Sequence, residues 1–382
     1  MPVASYMSRA LYHPEHGYFA TGPRSGRHGH FVTSPELDPS FGELWAAGFE
    51  QVWSAAGRPA SFEVTEVGPG EGGFAAAVLE TVAGPFAAAL SYRLVERMPL
   101  LRARQEERLA PFLGSGRRAR PKVSWSPSLP EAPPAAAGCV FANEVLDNLP
   151  VHVVERRAGR LMEVCVAAPE GVLVEALLEP SSPELARWLS RCGMDLPEGH
   201  RCEVGLAAES FVRRAAGLLG RGAVILIDYG AEAAELAARP AGTLVCYSEA
   251  GADDAYLERP GEKDITAHVN WGAVHGAGER AGLETAGPRA QKDVLVALGA
   301  RHSLDLLRAE REAASSAGDG AAVVRAVSRA QALNALMDQG GLGSLGVLTG
   351  ATGGLRPPGF PFAPTSLKPS IRRGRISSPR RR

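Results

Sequence analysis

The residues with the clearest capacity for chemistry lie between Phe62 and Phe74, in the run F-E-V-T-E-V-G-P-G-E-G-G-F. Phe62, Val64 and Val67 give an apolar, β-forming lead-in that breaks at Gly68-Pro69-Gly70 and Gly72-Gly73, and an Ala/Val/Leu segment of helical character follows from Ala75 to Val82. Strand, glycine turn and helix form a geometry in which backbone N–H groups approach a ligand closely because no Cβ intervenes. Gly68, Gly70 and Gly73 also satisfy the looser G-x-G-x-x-G spacing of dinucleotide sites. Glu66 separates the two readings. A carboxylate there would repel a pyrophosphate, whereas S-adenosylmethionine carries an ammonium and a sulfonium and no phosphate. The E-x-G-x-G-x-G pattern therefore reads as a methyl-donor site formed by Glu66, Gly68, Pro69, Gly70 and Gly72, with a nicotinamide site as the weaker alternative.

Three further groups fit this reading. Glu96 ends a second apolar strand, Leu90 to Val95, and stands where a carboxylate accepts hydrogen bonds from both ribose hydroxyls. Ser124 to Ser126, on a short third strand, would face the adenine. A fourth strand, Gly138 to Ala142, delivers Asn143, Glu144 and Asp147, an amide and two carboxylates within five positions. Polar residues at the carboxyl end of a core strand lie in the ligand crevice. These can accept hydrogen bonds from an amine or guanidinium and align its lone pair with the methyl carbon. Asp147 also suits the N-cap of a following helix. His268 reads as a packed core histidine and not as a base.

The remaining elements must position these groups. Leu11, Tyr12, Tyr18 and Phe19 suggest a short helix and turn, and the glycine-rich Arg24–Glu36 loop, which includes Thr33 and Glu36, reads as a lid over the site. Phe41, Leu44, Trp45, Phe49, Val52 and Trp53 recur at helical spacing. Pro99 to Leu109 reads as a helix, Val151 to Leu178 as a β-meander inserted in the sheet order, and Ser182–Cys192 and Ala207–Leu219 as helices. Gly222 to Asp228 is the fifth core strand and Thr243 to Tyr247 another strand. Asp264 or Thr266 would cap a helix containing His268. Ala286–Leu298 and Ala321–Leu336 are further elements, and Gly340–Gly354 is a glycine-rich strand or loop.

Composition narrows the class. The 382 residues are 45% hydrophobic, and no apolar run approaches the roughly 20 residues that span a bilayer. Five dispersed cysteines without a C-x-x-C pair point to reduced thiols, a cytoplasmic protein and no structural metal. The net charge of −1 conceals a basic terminus: eight Lys or Arg and no acid follow from Arg356, leaving −9 elsewhere. An acidic body suits a cationic partner and not specific nucleic acid. The Pro/Ser/Arg stretch 356–382 reads as a disordered tail.

In chain order these motifs resemble the MidA-like family of class I S-adenosylmethionine-dependent methyltransferases, whose mitochondrial member is a complex I assembly factor and protein arginine methyltransferase. The matching pieces are Tyr6-Met7, Ala10-Leu11-Tyr12-His13-Pro14, Gly17-Tyr18-Phe19, Phe31-Val32-Thr33-Ser34-Pro35-Glu36, Phe41-Gly42-Glu43 and Glu66 to Gly72. They continue through Val95-Glu96, Ala142-Asn143-Glu144 with Asp147 and Leu149-Pro150, Ile227-Asp228-Tyr229-Gly230 and Asp264 to Val269, so the resemblance covers roughly 5 to 350. It implies an α/β, Rossmann-like seven-stranded sheet (core 61–355) with an N-terminal cap or lid segment (1–60) and an inserted β-rich subdomain (151–215). It implies methyl transfer to a protein arginine, on a respiratory complex subunit, without a metal. Two departures stand out. Gly29-His30 replaces the family's Gly-Asp, and Glu71-Gly72-Gly73 replaces Arg-Gly-Thr beside the cofactor. A small-molecule N- or O-methyltransferase and a non-catalytic S-adenosylmethionine-binding assembly factor are the alternatives.

Overall fold

The computed structural model describes residues 1–21, 33–113, 121–131 and 136–357. Residues 22–32, which hold Gly29-His30 and most of the expected Arg24–Glu36 lid, and the basic terminus beyond 357 lie outside the described residues.

The chain opens with α1 (Val3–Tyr12), a one-turn α2 (Ser34–Leu37) and α3 (Ser40–Ala55). Then come β1 (Phe62–Val67), α4 (Gly73–Thr81), α5 (Gly84–Ala89), β2 (Leu90–Val95), α6 (Pro99–Leu109), β3 (Lys122–Ser126) and β4 (Gly138–Asn143). Next are β5 (His152–Arg157), β6 (Arg160–Ala167), β7 (Val174–Leu178), α7 (Glu184–Arg191), β8 (Arg201–Val204) and α8 (Leu206–Gly217). The second half holds β9 (Gly222–Asp228), β10 (Gly230–Ala231), α9 (Ala233–Ala237), β11 (Val245–Ser248), β12 (Gly251–Asp253), β13 (Asp264–Thr266) and β14 (Val269–Asn270). It closes with α10 (Trp271–Arg280), β15 (Glu284–Ala290), α11 (Gln291–Ala297), α12 (Ala300–Ser316), α13 (Gly320–Leu336) and β16 (Gly346–Ala351).

The main sheet has seven strands in the order β15-β16-β9-β4-β1-β2-β3. Six run in one direction, and β16 alone is reversed, antiparallel to both β9 and β15. Strand order reverses between β1 and β4, so the loops after Val67 and Asn143 leave side by side; Val67 pairs with Ala142. That reversal opens the crevice in which open α/β sheets bind ligands. Both faces of the central strands are covered. On one, Phe41, Trp45 and Phe49 of α3 pack with Phe74 and Phe141, whose rings stack at 4.6 Å. On the other, α8 and α10 bury Phe211, Val212, Trp271 and Val274.

The inserted meander is a separate four-stranded sheet, β7-β6-β5-β8. Its apolar face takes in Val3, Tyr6, Met7 and Leu11 of α1 together with Val151, Val153 and Val164. The N-terminal segment is therefore split, with α1 on the inserted sheet and α3 in the main core. The insertion's own strands end at Val204, and α8 returns to the main sheet because its buried face is apolar.

Two expectations fail locally. No helix follows Asp147, since Glu144 to Leu149 form bends and turns before β5. The cap of α10 is Asn270, which accepts from Ala273 N–H at 3.0 Å, and not Asp264 or Thr266. Asp264 and Thr266 are drawn into β13, which pairs with β11.

Candidate active site

The glycine turn has the backbone that its sequence demands. Gly68, Gly70 and Gly72 have φ of 66°, 53° and 78°, the left-handed region that glycine alone enters without a Cβ penalty. A Cβ on Gly68 would meet Val145 Cγ2 at 2.7 Å, so this turn and the Asn143–Asp147 loop are in contact. A Cβ on Gly70 would meet nothing within 4 Å: protein leaves that space open where a cofactor would approach. Pro69 shapes the turn by accepting from Gly72 N–H at 2.8 Å. Glu71, the charge departure, is paired with Arg104 at 3.1 Å and Arg108 at 3.6 Å. The acid is thus locally compensated by α6.

Glu66 is buried and accepts from the Tyr92 hydroxyl at 2.8 Å. Burial pushes its carboxyl up to about 8, against the opposing pull of that hydrogen bond. Glu96 at the end of β2 accepts from Met98 N–H at 2.8 Å and from Gln105 Nε2 at 3.1 Å. A carboxylate can accept about four hydrogen bonds, so Glu96 keeps capacity for a ribose hydroxyl. Ser126 Oγ and Asn143 Oδ1 are buried and have no hydrogen-bond partner among the described residues. Such groups are costly to leave unpaired. Their position at the ends of β3 and β4, with the open space at Gly70, fits a cofactor that supplies polar partners.

The acceptor side is acidic. Glu144 has φ of 53°, uncommon for a residue with a side chain, and its N–H is held by Ile227 O at 2.8 Å. Its Oε1 accepts from Asn143 Nδ2 at 2.9 Å and Ser34 N–H at 3.4 Å. Burial and then the Asp147 charge raise its carboxyl to about 8, with Glu36 adding to the rise. Glu36 thus lies near enough for its charge to oppose that of Glu144, and Thr33, the first described residue of the expected lid, directly precedes Ser34.

Asp147, also buried, has its backbone fixed by Ala267 N–H and by Asp228. Asp228 is wholly buried and accepts from Val145, Leu146 and Asp147 N–H through one oxygen and from Tyr229 N–H through the other. Burial and the Asp147 and Glu144 charges hold its carboxyl well above the usual range, while those N–H donors pull it down. Asp264 accepts from Asn148 Nδ2 at 2.7 Å, and burial with Asp147 lifts it to about 8. Tyr12 OH donates to Asn148 O at 3.1 Å, tying α1 to this loop. His268 lies half-buried beside Arg239, and burial drops it to about 4, consistent with the packed reading.

Sequence reasoning missed the side chains that hold these groups: Ser34, Gln105, Asp228 and Gln291. Gln291 exchanges hydrogen bonds with Ser34 Oγ and donates to Leu336 and Leu342 carbonyls, fixing the chain just before Glu36. Asp228 ends a buried strand, a signal that a polar end belongs to the crevice.

Comparison with known proteins agrees with this geometry. Residues 44–289 match the sequence profile of a family of S-adenosyl-L-methionine-dependent methyltransferases. The chain is 29% identical over 319 residues to the mitochondrial protein arginine methyltransferase NDUFAF7 homolog of Drosophila melanogaster, covering 75% of this chain and 69% of that one. It is 28% identical over 328 residues to protein arginine methyltransferase NDUFAF7 of Danio rerio, covering 80% and 74%. A crystal structure of a COG1565 superfamily member from Burkholderia thailandensis bound to S-adenosyl-homocysteine superposes with a TM-score of 0.79 at 32% identity, covering 93% of this chain and 88% of that one. The chain belongs to this family: it is a class I methyltransferase with S-adenosylmethionine as its cofactor.

Proposed function

We propose that the protein methylates an arginine guanidinium of a protein substrate, with Asn143, Glu144 and Asp147 as the catalytic group. The observation that carries this reading is the cluster of buried acids without a protein counter-cation around that loop. Among the described residues, none of the ion pairs involves Glu144, Asp228 or Asp264. Such acids hold their protons for want of a positive partner, and an arriving guanidinium can take the proton's place as that partner. The relatives named as protein arginine methyltransferases support the same acceptor.

S-adenosylmethionine supplies the methyl group. Glu66, Gly68, Pro69, Gly70, Gly72, Glu96 and Asn143 would hold it. Glu144 and Asp147 orient the guanidinium, and Thr33 and Glu36 close the acceptor side. A guanidinium has a pKa above about 12 and must lose a proton as its new N–C bond forms. A carboxylate raised to about 8 is a stronger base than an ordinary one and suits that task. A respiratory complex I subunit as acceptor and a cytoplasmic location belong to the same proposal; five free cysteines support the location.

The test is mass spectrometry of arginine-containing proteins incubated with S-adenosylmethionine and either wild type or Glu144→Gln. Methylarginine is expected with wild type and a loss of about 100-fold or more in rate with the variant. Methyl transfer only to small molecules, or an unimpaired Glu144→Gln, would refute the reading.

A further inference from the structure

We propose that Gln105 is a positioning residue that joins the glycine turn, the ribose-binding carboxylate and the third strand into one preorganised adenosine site. Gln105 lies on α6 and is fully buried. A buried amide must place all its polar atoms, and this one spends them on three different walls of the cofactor crevice. Its Nε2 donates to Gly70 O at 2.7 Å and to Glu96 Oε2 at 3.1 Å. Its Oε1 accepts from Trp125 Nε1 at 3.1 Å. Both amide protons are therefore committed, one to the turn and one to the carboxylate.

The packing agrees. A Cβ on Gly72 would lie 3.3 Å from Gln105 Cγ, so the turn lies directly against this side chain. Glu96 is fixed from its two ends, Oε1 by Met98 N–H and Oε2 by Gln105, which holds the carboxylate in a single plane. Its backbone N–H is held by Ser126 O at 2.9 Å, which ties the end of β2 to the end of β3 beside Gln105. Without Gln105 the carboxylate keeps its charge and loses its direction. A group held within a narrow angular range before ligand arrives avoids the ordering cost on binding. The inference rests on the cofactor site alone and is independent of the acceptor.

The experiment is calorimetric titration of the full-length protein and two variants with S-adenosylhomocysteine and with its analogue lacking both ribose hydroxyls. Gln105→Leu removes all three hydrogen bonds at similar size. Gln105→Glu keeps the acceptor for Trp125, loses both donors, and sets a second carboxylate against Glu96, so it serves if the leucine variant does not fold. Each variant is expected to weaken S-adenosylhomocysteine by about tenfold or more, and to weaken the hydroxyl-free analogue by less, because that ligand feels only the loosened turn and not the direction of Glu96. With Gln105→Glu the loss should grow with pH as both carboxylates ionise. Unchanged S-adenosylhomocysteine affinity would overturn the proposal. Equal weakening of both ligands would also overturn it, because a purely structural role loses both alike. Failure of wild type to bind either ligand would remove the site itself.

Discussion

Replacing Gly70 by alanine should damage the cofactor site out of proportion to its effect on the fold, and the structure provides a matched control. Gly70 and Gly159 have φ of 53° and 74°, and a Cβ at either would meet no atom within 4 Å. Both alanine variants therefore carry the same backbone strain, about 1–2 kcal/mol, and neither clashes with protein. Gly159 lies in the turn between β5 and β6, on the inserted sheet. The space at Gly70 lies over the crevice. A ligand atom touching the Gly70 Cα at about 3.5–4.0 Å would be overlapped by the new methyl and must retreat. Overpacking of this kind costs about 1–3 kcal/mol, roughly five- to 150-fold in affinity. Thermal unfolding should show similar losses for the two variants, while calorimetry with S-adenosylhomocysteine should show weakened binding for Gly70→Ala alone. Equal affinities would refute the placement of the cofactor over this turn.

Two other outcomes follow from the buried acids. Glu66, Glu144 and Asp264 are raised to about 8, so between their unfolded values near 4 and about 8 the folded protein binds protons that the unfolded chain has lost. Stability should therefore fall as pH rises through that window and level above it. Thermal unfolding across pH checks this, and Glu144→Gln should flatten the slope. Asp228→Asn can keep an oxygen toward Val145, Leu146 and Asp147 only by turning its NH2 toward Tyr229 N–H. That leaves a buried donor unpaired, at about 1–3 kcal/mol. Thermal unfolding should show a lower melting temperature for the variant than for wild type.

Local features of the fold were legible in the sequence for physical reasons. The strand–glycine–helix unit at 62–81, helix Pro99–Leu109 and the meander from Val151 carry their periodicity and turn residues within a few positions. Glu96 and Asn143 were found because each follows an apolar strand. What escaped depends on contacts distant in sequence. Gln105 reads as one more polar position on an amphipathic helix until Gly70, Glu96 and Trp125 are seen around it. Asp228 looked like a strand terminus; its role depends on three amides some 80 positions away. Asp264 resembled a helix cap because acid and Thr precede a helical stretch, yet pairing of β13 with β11 outweighs that local preference and leaves the cap to Asn270. The left-handed Glu144 has no sequence signature; the pairing of its N–H with Ile227 O imposes it.

The most direct measurement is methyl transfer from S-adenosylmethionine to arginine-containing protein by wild type and Glu144→Gln, with S-adenosylhomocysteine affinity determined for both. The account predicts methylarginine with wild type, a rate reduced by about 100-fold or more in the variant, and cofactor affinity that changes little. Methylation by Glu144→Gln at the wild-type rate would contradict it.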